Sequence, residues 1–187
     1  SSPYDQIIAL DASTGQEKWR YSLPPNEGIS EHGSAYWPGG NGAPPSIIFG
    51  TRGGHLISLR ASDGTPNAAF GDNGIVNMKT PEVMQTGPDG LYILPSAPII
   101  YKNLVITGAG SGEGPGGSRG GDGPSGASRA WDAKTGKLVW TFDPVPKPGQ
   151  PGYDTWGKGS TKNRSGVNVW GYMTVDQKRG IVYMPFG

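Results

Sequence analysis

The sequence contains no cysteine. Disulfides, thiolate metal sites and a cysteine nucleophile are therefore excluded. Charge is sparse: 17% of its 187 residues are Asp, Glu, Lys or Arg, below the roughly 25% of ordinary soluble domains. Sixteen Lys and Arg against fifteen Asp and Glu leave a net charge of +1. No broad basic field exists to hold a phosphate backbone, so a nucleic-acid partner is not expected. No apolar run reaches the ~18 residues a membrane-spanning helix needs. Nor does any longer stretch carry a helical apolar stripe free of Gly and Pro.

Glycine and proline are abundant instead, at 33 and 18 residues. Such a composition often signals disorder. Six Trp, eight Tyr and four Phe argue against it, because a disordered chain rarely carries so much aromatic surface. Short β-rich runs recur between turn residues: Ser46 to Thr51, His55 to Leu59 and Gly180 to Met184. Ile99 to Tyr101 leads through Lys102-Asn103 into Leu104 to Thr107, which reads as a hairpin. The fold class expected is all-β.

An internal repeat organises the chain. Ala9-Leu10-Asp11-Ala12-Ser13-Thr14-Gly15, ending at Trp19, returns as Ala130-Trp131-Asp132-Ala133-Lys134-Thr135-Gly136, ending at Trp140. A worn copy spans 58–70 and ends at Phe70. Each unit reads as strand, tight turn, strand and closing aromatic, with Gly supplying the turn. Blade-like units at this period belong to β-propellers, whose four-stranded sheets stack around an axis. At roughly 45–60 residues per blade, residues 1–187 form a single propeller domain. It is expected to be an arc of three to four four-stranded blades, part of a larger ring.

Residues 108–126 form a Gly-rich insert before the third copy. It reads either as a flexible surface loop or as a loop over a ligand on the propeller face. No helix pattern follows it and no Gly-Lys-Ser/Thr is present, so a nucleotide-phosphate loop is rejected.

Three stretches together resemble the pyrroloquinoline-quinone (PQQ) dehydrogenases. They are the Ala-x-Asp-Ala-x-Thr-Gly-x-x-x-Trp repeat, the loop Glu31-His32-Gly33-Ser34-Ala35-Tyr36-Trp37-Pro38-Gly39, and the run from Thr155-Trp156 through Arg164 and Asn168-Val169-Trp170-Gly171 to Asp176, then Gly180 to Pro185. The likeness covers essentially the whole chain and is nearest to the glucose dehydrogenase-like, eight-bladed branch. It implies a periplasmic enzyme that oxidises a sugar or polyol hydroxyl, with hydride passing to PQQ. Ca²⁺ would polarise the cofactor, and a membrane quinone or a cytochrome would accept the electrons.

Residue by residue, the resemblance makes Trp170 the flat floor on which PQQ stacks. Asn168, two residues earlier, would share that face if the segment is a strand and could hydrogen-bond the cofactor. A turn Asn bonding its own backbone is the other reading. His32 stands where the family carries an Arg that clamps a PQQ carboxylate, so a permanent charge is replaced by a titrating one. Ser96 is the hydroxyl expected to meet PQQ, and Glu113 the expected Ca²⁺ ligand, with Asp122 in the same loop. Trp37 reads as either packing or pocket, and Trp19 and Trp140 as packing at blade junctions. Tyr153, Asp154 and Trp156 read as loop packing or a substrate entrance, and Arg164 as reaching an anion or solvent. The resemblance puts the proton-abstracting Asp and a second Ca²⁺ ligand downstream of Gly187. No catalytic residue is expected within the 187 residues, and the isolated chain is expected to be inactive. A rival reading is a propeller scaffold without cofactor, as in outer-membrane assembly lipoproteins that share the blade repeat. A WD40-type propeller is not expected, because Trp131-Asp132 is a lone dipeptide without the Gly-His partner that signature needs.

Overall fold

The computed structural model describes residues 5–84, 91–110, 123–162, 164 and 167–187, apart from the Glu31 side chain. The described residues hold twelve strands in four antiparallel sheets, in chain order. A two-stranded sheet joins β1 (Gln6–Leu10) to β2 (Glu17–Ser22). A four-stranded meander follows: β3 (Ile29–Trp37), β4 (Ser46–Thr51), β5 (His55–Arg60) and β6 (Ile75–Asn77). A second meander contains β7 (Ile99–Tyr101), β8 (Leu104–Thr107), β9 (Ser128–Asp132) and β10 (Leu138–Phe142). β11 (Thr174–Asp176) and β12 (Ile181–Tyr183) make the last pair. Among the described residues one α-helical turn, α1 (Pro81–Met84), and one 3-10 turn (Tyr153–Thr155) interrupt the all-β pattern.

The sheets stack face to face, and alternation along the strands explains why. Successive side chains of a strand point to opposite faces. Ile48 and Leu56 enter a core shared by the two meanders, with Trp37, Tyr92, Val105 and Trp131. Their neighbours Phe49, Ile57 and Leu59 turn the other way and pack with Trp19 and Tyr21 of the first sheet. In the second meander, Val105 and Trp131 face the first core, while Ile106 and Ala130 face Val169, Val182 and Met184. Three apolar layers thus separate four sheets. The leading strands β3, β7 and β11 lie side by side in series. The architecture is an arc of a β-propeller, with two complete four-stranded blades between two strand pairs.

The repeat is a set of superimposable turns. Gly15, Gly64 and Gly136 adopt φ of 72°, 74° and 69°. Each donates its N–H to the carbonyl four residues back, on Asp11, Arg60 and Asp132. In the outer copies the Asp carboxylate closes the turn, Asp11 accepting from the N–H groups of Ser13 and Thr14, and Asp132 from Thr135. Turns dock on the preceding sheet. Gly64 lies against the Trp19 ring, whose Nε1 donates to the Ala61 carbonyl at 3.0 Å. Gly136 lies against Gly71 and Val76.

Two expectations about the repeat change. The worn copy does not return as a strand at 65–70. After the Leu59–Pro66 bridge the chain leaves the sheet, buries Phe70 in a turn, and rejoins as β6 at Ile75. Asn67 makes this excursion possible by donating its buried side-chain amide to Ser46 Oγ at 2.6 Å. Trp19 and Trp140 lie inside their return strands rather than at the ends.

Candidate functional site

Three segments from different sheets meet beside the leading strands. Ser30, buried in β3, donates its hydroxyl to the Pro95 carbonyl at 2.7 Å. The next residue, Ser96, also buried, donates to the Val169 carbonyl at 2.9 Å. The Ala109 N–H reaches the same Val169 oxygen at 3.2 Å. The 30, 95–96 and 167–170 segments are therefore fastened in series.

Residues 167–170 form no strand. Asn168 exchanges two backbone hydrogen bonds with Gly187, at 3.3 and 3.1 Å. Its side chain is buried at 1% exposure, whereas Trp170 is 60% exposed. The expectation that both share one face is corrected. The segment is held from below by Asn168 and Val169 and presents Trp170 outward.

Two glycines bracketing the Gly-rich insert form the bed under this segment. A Cβ at Gly108 would overlap the Val169 carbonyl oxygen, and one at Gly126 the Val167 carbonyl oxygen. Neither has a positive φ, so what glycine supplies at both is space. On the exposed side nothing lies within 4 Å of a Cβ at Gly171, and Gly187 borders the indole edge, its Cβ position 3.1 Å from Trp170 Nε1. A flat, open aromatic face results, rigid from below and unobstructed beside Gly171.

The remaining candidates divide. Ser96 spends its hydroxyl proton on Val169, which makes it an anchor of the floor. Trp37 is 1% exposed and belongs to the core between the meanders. Trp19 does pack at a sheet junction, as expected. Tyr153 to Thr155 form a 3-10 turn, and Arg164 is exposed with its Nε donating to the Ser160 carbonyl. His32 belongs to β3, in the irregular stretch between the Ile29 and Ser34 pairings, and its half-buried imidazole meets the Tyr172 ring edge-on, with centroids 5.6 Å apart. Glu113 and Asp122 lie outside the described residues. Among the described residues no group of three or more His, Asp or Glu could hold a metal ion.

The entry into β3 is fixed electrostatically. Glu27 accepts from Thr51 Oγ1 at 2.6 Å and lies 2.9 Å from His55 Nδ1. Burial, then the Glu27 charge, push the nearby Tyr21 phenol up from its ordinary value. The sequence offered no sign of Ser30, Gly108 or Gly126 as site residues, because their roles arise from contacts across sheets.

The family described as the PQQ glucose/ethanol/alcohol dehydrogenase β-propeller domain matches residues 1–187. The chain belongs to this family. It is 29% identical over 210 residues to quinoprotein glucose dehydrogenase A of Acinetobacter calcoaceticus, covering 98% of this chain and 24% of that protein. It is 31% identical over 208 residues to the dehydrogenase subunit of the quinone alcohol dehydrogenase of Gluconobacter oxydans, strain 621H, covering 98% of this chain and 25% of that one. The chain thus spans about a quarter of the length of these curated relatives. In fold it resembles the quinohemoprotein alcohol dehydrogenase from Comamonas testosteroni, at a TM-score of 0.69 and 23% identity, over all of this chain and 27% of that one. The PQQ dehydrogenase family is therefore the frame for the Trp170 site, and the cofactor-free scaffold reading is not favoured.

Proposed function

We propose that this propeller arc forms part of a PQQ-dependent dehydrogenase that oxidises a sugar or polyol hydroxyl. The observation that carries the reading is Trp170: a 60% exposed indole on a floor whose backbone is fastened by Ser96, Ala109 and Gly187. A flat aromatic face with an open side fits a flat tricyclic quinone, and stacking there is favourable. When bound, PQQ supplies a hydride-accepting quinone. The chain's own residues would then bind and orient. Trp170 offers the stacking face, Asn168 and Ser96 keep that face in place, and His32 lies on the strand beside it. Ca²⁺ is the metal we propose for the site, with Glu113 as a ligand, and a membrane quinone or a cytochrome is the proposed electron acceptor. A periplasmic location accords with this chemistry. The sugar or polyol class is preferred over simple alcohols on the resemblance to the glucose dehydrogenase-like branch.

The test uses the full-length protein. PQQ is titrated into wild type and Trp170→Ala in the presence of Ca²⁺, followed by calorimetry and by dye reduction with glucose, glycerol and ethanol. The expected result is PQQ-dependent reduction by a sugar or polyol, and a loss of PQQ affinity of about tenfold or more in the variant, consistent with a stacking loss of ~1–2 kcal/mol. Unchanged affinity would remove Trp170 from the floor. Reduction by ethanol alone would overturn the substrate class.

A further inference from the structure

A second polar site lies away from Trp170, on the far side of the same meander. Arg129 in β9 is 4% exposed. Its Nη1 donates to the Tyr92 hydroxyl and to the Ala127 carbonyl, each at 3.1 Å. Both acceptors are neutral. Burial pushes the Tyr92 phenol up from its ordinary value, so that hydroxyl does not serve as a counter-charge. Among the described residues no carboxylate forms an ion pair with this guanidinium.

A buried cation without a counter-ion is a costly arrangement. A lysine could escape by losing its proton, but a guanidinium does not do so in proteins. The charge therefore calls for an anion.

Space for one exists. Arg129 lines a cavity of about 360 Å³ together with Thr80, Glu82, Thr141, Asp143 and Lys147. Of its two carboxylates, Asp143 is engaged elsewhere, 3.4 Å from Lys147 Nζ and accepting from Gln150 Nε2 at 3.1 Å. Glu82 is exposed, and the Thr80 hydroxyl holds its carboxyl below the ordinary range. The cavity thus sets a buried guanidinium, without an ion-paired carboxylate among the described residues, beside Thr141.

We infer that Arg129 is the centre of a binding site for a small oxyanion of the carboxylate or phosphate class. A guanidinium meets such an anion through paired N–H donors in fixed geometry, which a lysine cannot reproduce. The assignment is independent of the PQQ reading, which enters only in asking where the anion comes from.

The test is calorimetric titration of full-length protein, prepared without PQQ, with acetate and with inorganic phosphate at constant ionic strength set by chloride. Saturable binding of at least one probe is expected, with affinity falling roughly tenfold in Arg129→Lys and vanishing in Arg129→Met. Phosphate also stabilises proteins without binding specifically, so the comparison between variants decides. Should Arg129→Met fail to fold, Arg129→Lys still discriminates. Titration after loading with PQQ identifies the source. Lost binding means that a cofactor carboxylate fills the site, and retained binding means a free anion does. No saturable binding, or equal affinity in wild type and Arg129→Lys, overturns the assignment.

Discussion

The hydroxyl of Ser96 donates to the carbonyl of Val169 at 2.9 Å, one residue before the exposed Trp170. This bond joins the second meander to the segment that presents the indole. It makes Ser96 a positioning residue rather than a direct cofactor contact. Ser96→Ala would leave one of the two bonds to that carbonyl unmade, and a lost hydrogen bond of this kind costs ~1 kcal/mol. We expect a matching drop in stability by urea unfolding, and a several-fold fall in PQQ affinity of the full-length protein as Trp170 loses its fixed position. A stability loss with unchanged PQQ affinity would confine Ser96 to a structural role.

Space is the constraint at Gly126. A Cβ there would overlap the Val167 carbonyl oxygen and stand 2.9 Å from the Asn168 Cβ. Because φ is not positive at this position, Gly126→Ala tests crowding alone. The floor must shift or the bed must open, at a cost of ~1–3 kcal/mol. Gly171→Ala is the control: nothing lies within 4 Å of a Cβ there, so stability should change little. Equal stability of the two variants would show that the floor does not rest on the Gly126 backbone.

Much of the fold was legible because it is locally encoded. Asp11, Thr14 and Gly15 close their turn within five residues, and Asp132, Thr135 and Gly136 do the same. The hairpin at Lys102-Asn103 was equally readable, with Lys102 at a φ of 53°. The second copy misled because its excursion is held by Asn67 reaching Ser46, twenty-one residues away. Trp170 was legible through its motif. Its opposition to Asn168 was not, because the pattern assumed a strand, whereas the backbone here bonds through Asn168 to Gly187 and through Val169 to Ala109 without forming one. Arg129 carried no signal at all. An arginine in a strand reads as exposed, whereas Arg129 is buried with its Nη1 on the Tyr92 hydroxyl, a contact across 37 residues of sequence.

Acid should act on the turns first. The Lys18 ammonium, then the backbone N–H groups of Ser13 and Thr14, hold the Asp11 carboxyl below its ordinary value. The Thr65 hydroxyl and N–H do the same for Asp63, and the Arg179 N–H and guanidinium for Asp176. In each case the folded state binds its proton less readily than the unfolded state. The resulting stability is complete above the ordinary carboxylate range and is lost as pH falls through the depressed folded values. Stability should therefore rise with pH between about 2 and 5. Asn at these positions keeps an oxygen acceptor for the turn but loses the charge. The Asp11→Asn, Asp63→Asn, Asp176→Asn triple variant should unfold more readily than wild type at neutral pH and converge with it near pH 2, as read by urea midpoints across the range. A gap of the same size at both ends would show that the turns depend on hydrogen-bond geometry and not on carboxylate charge.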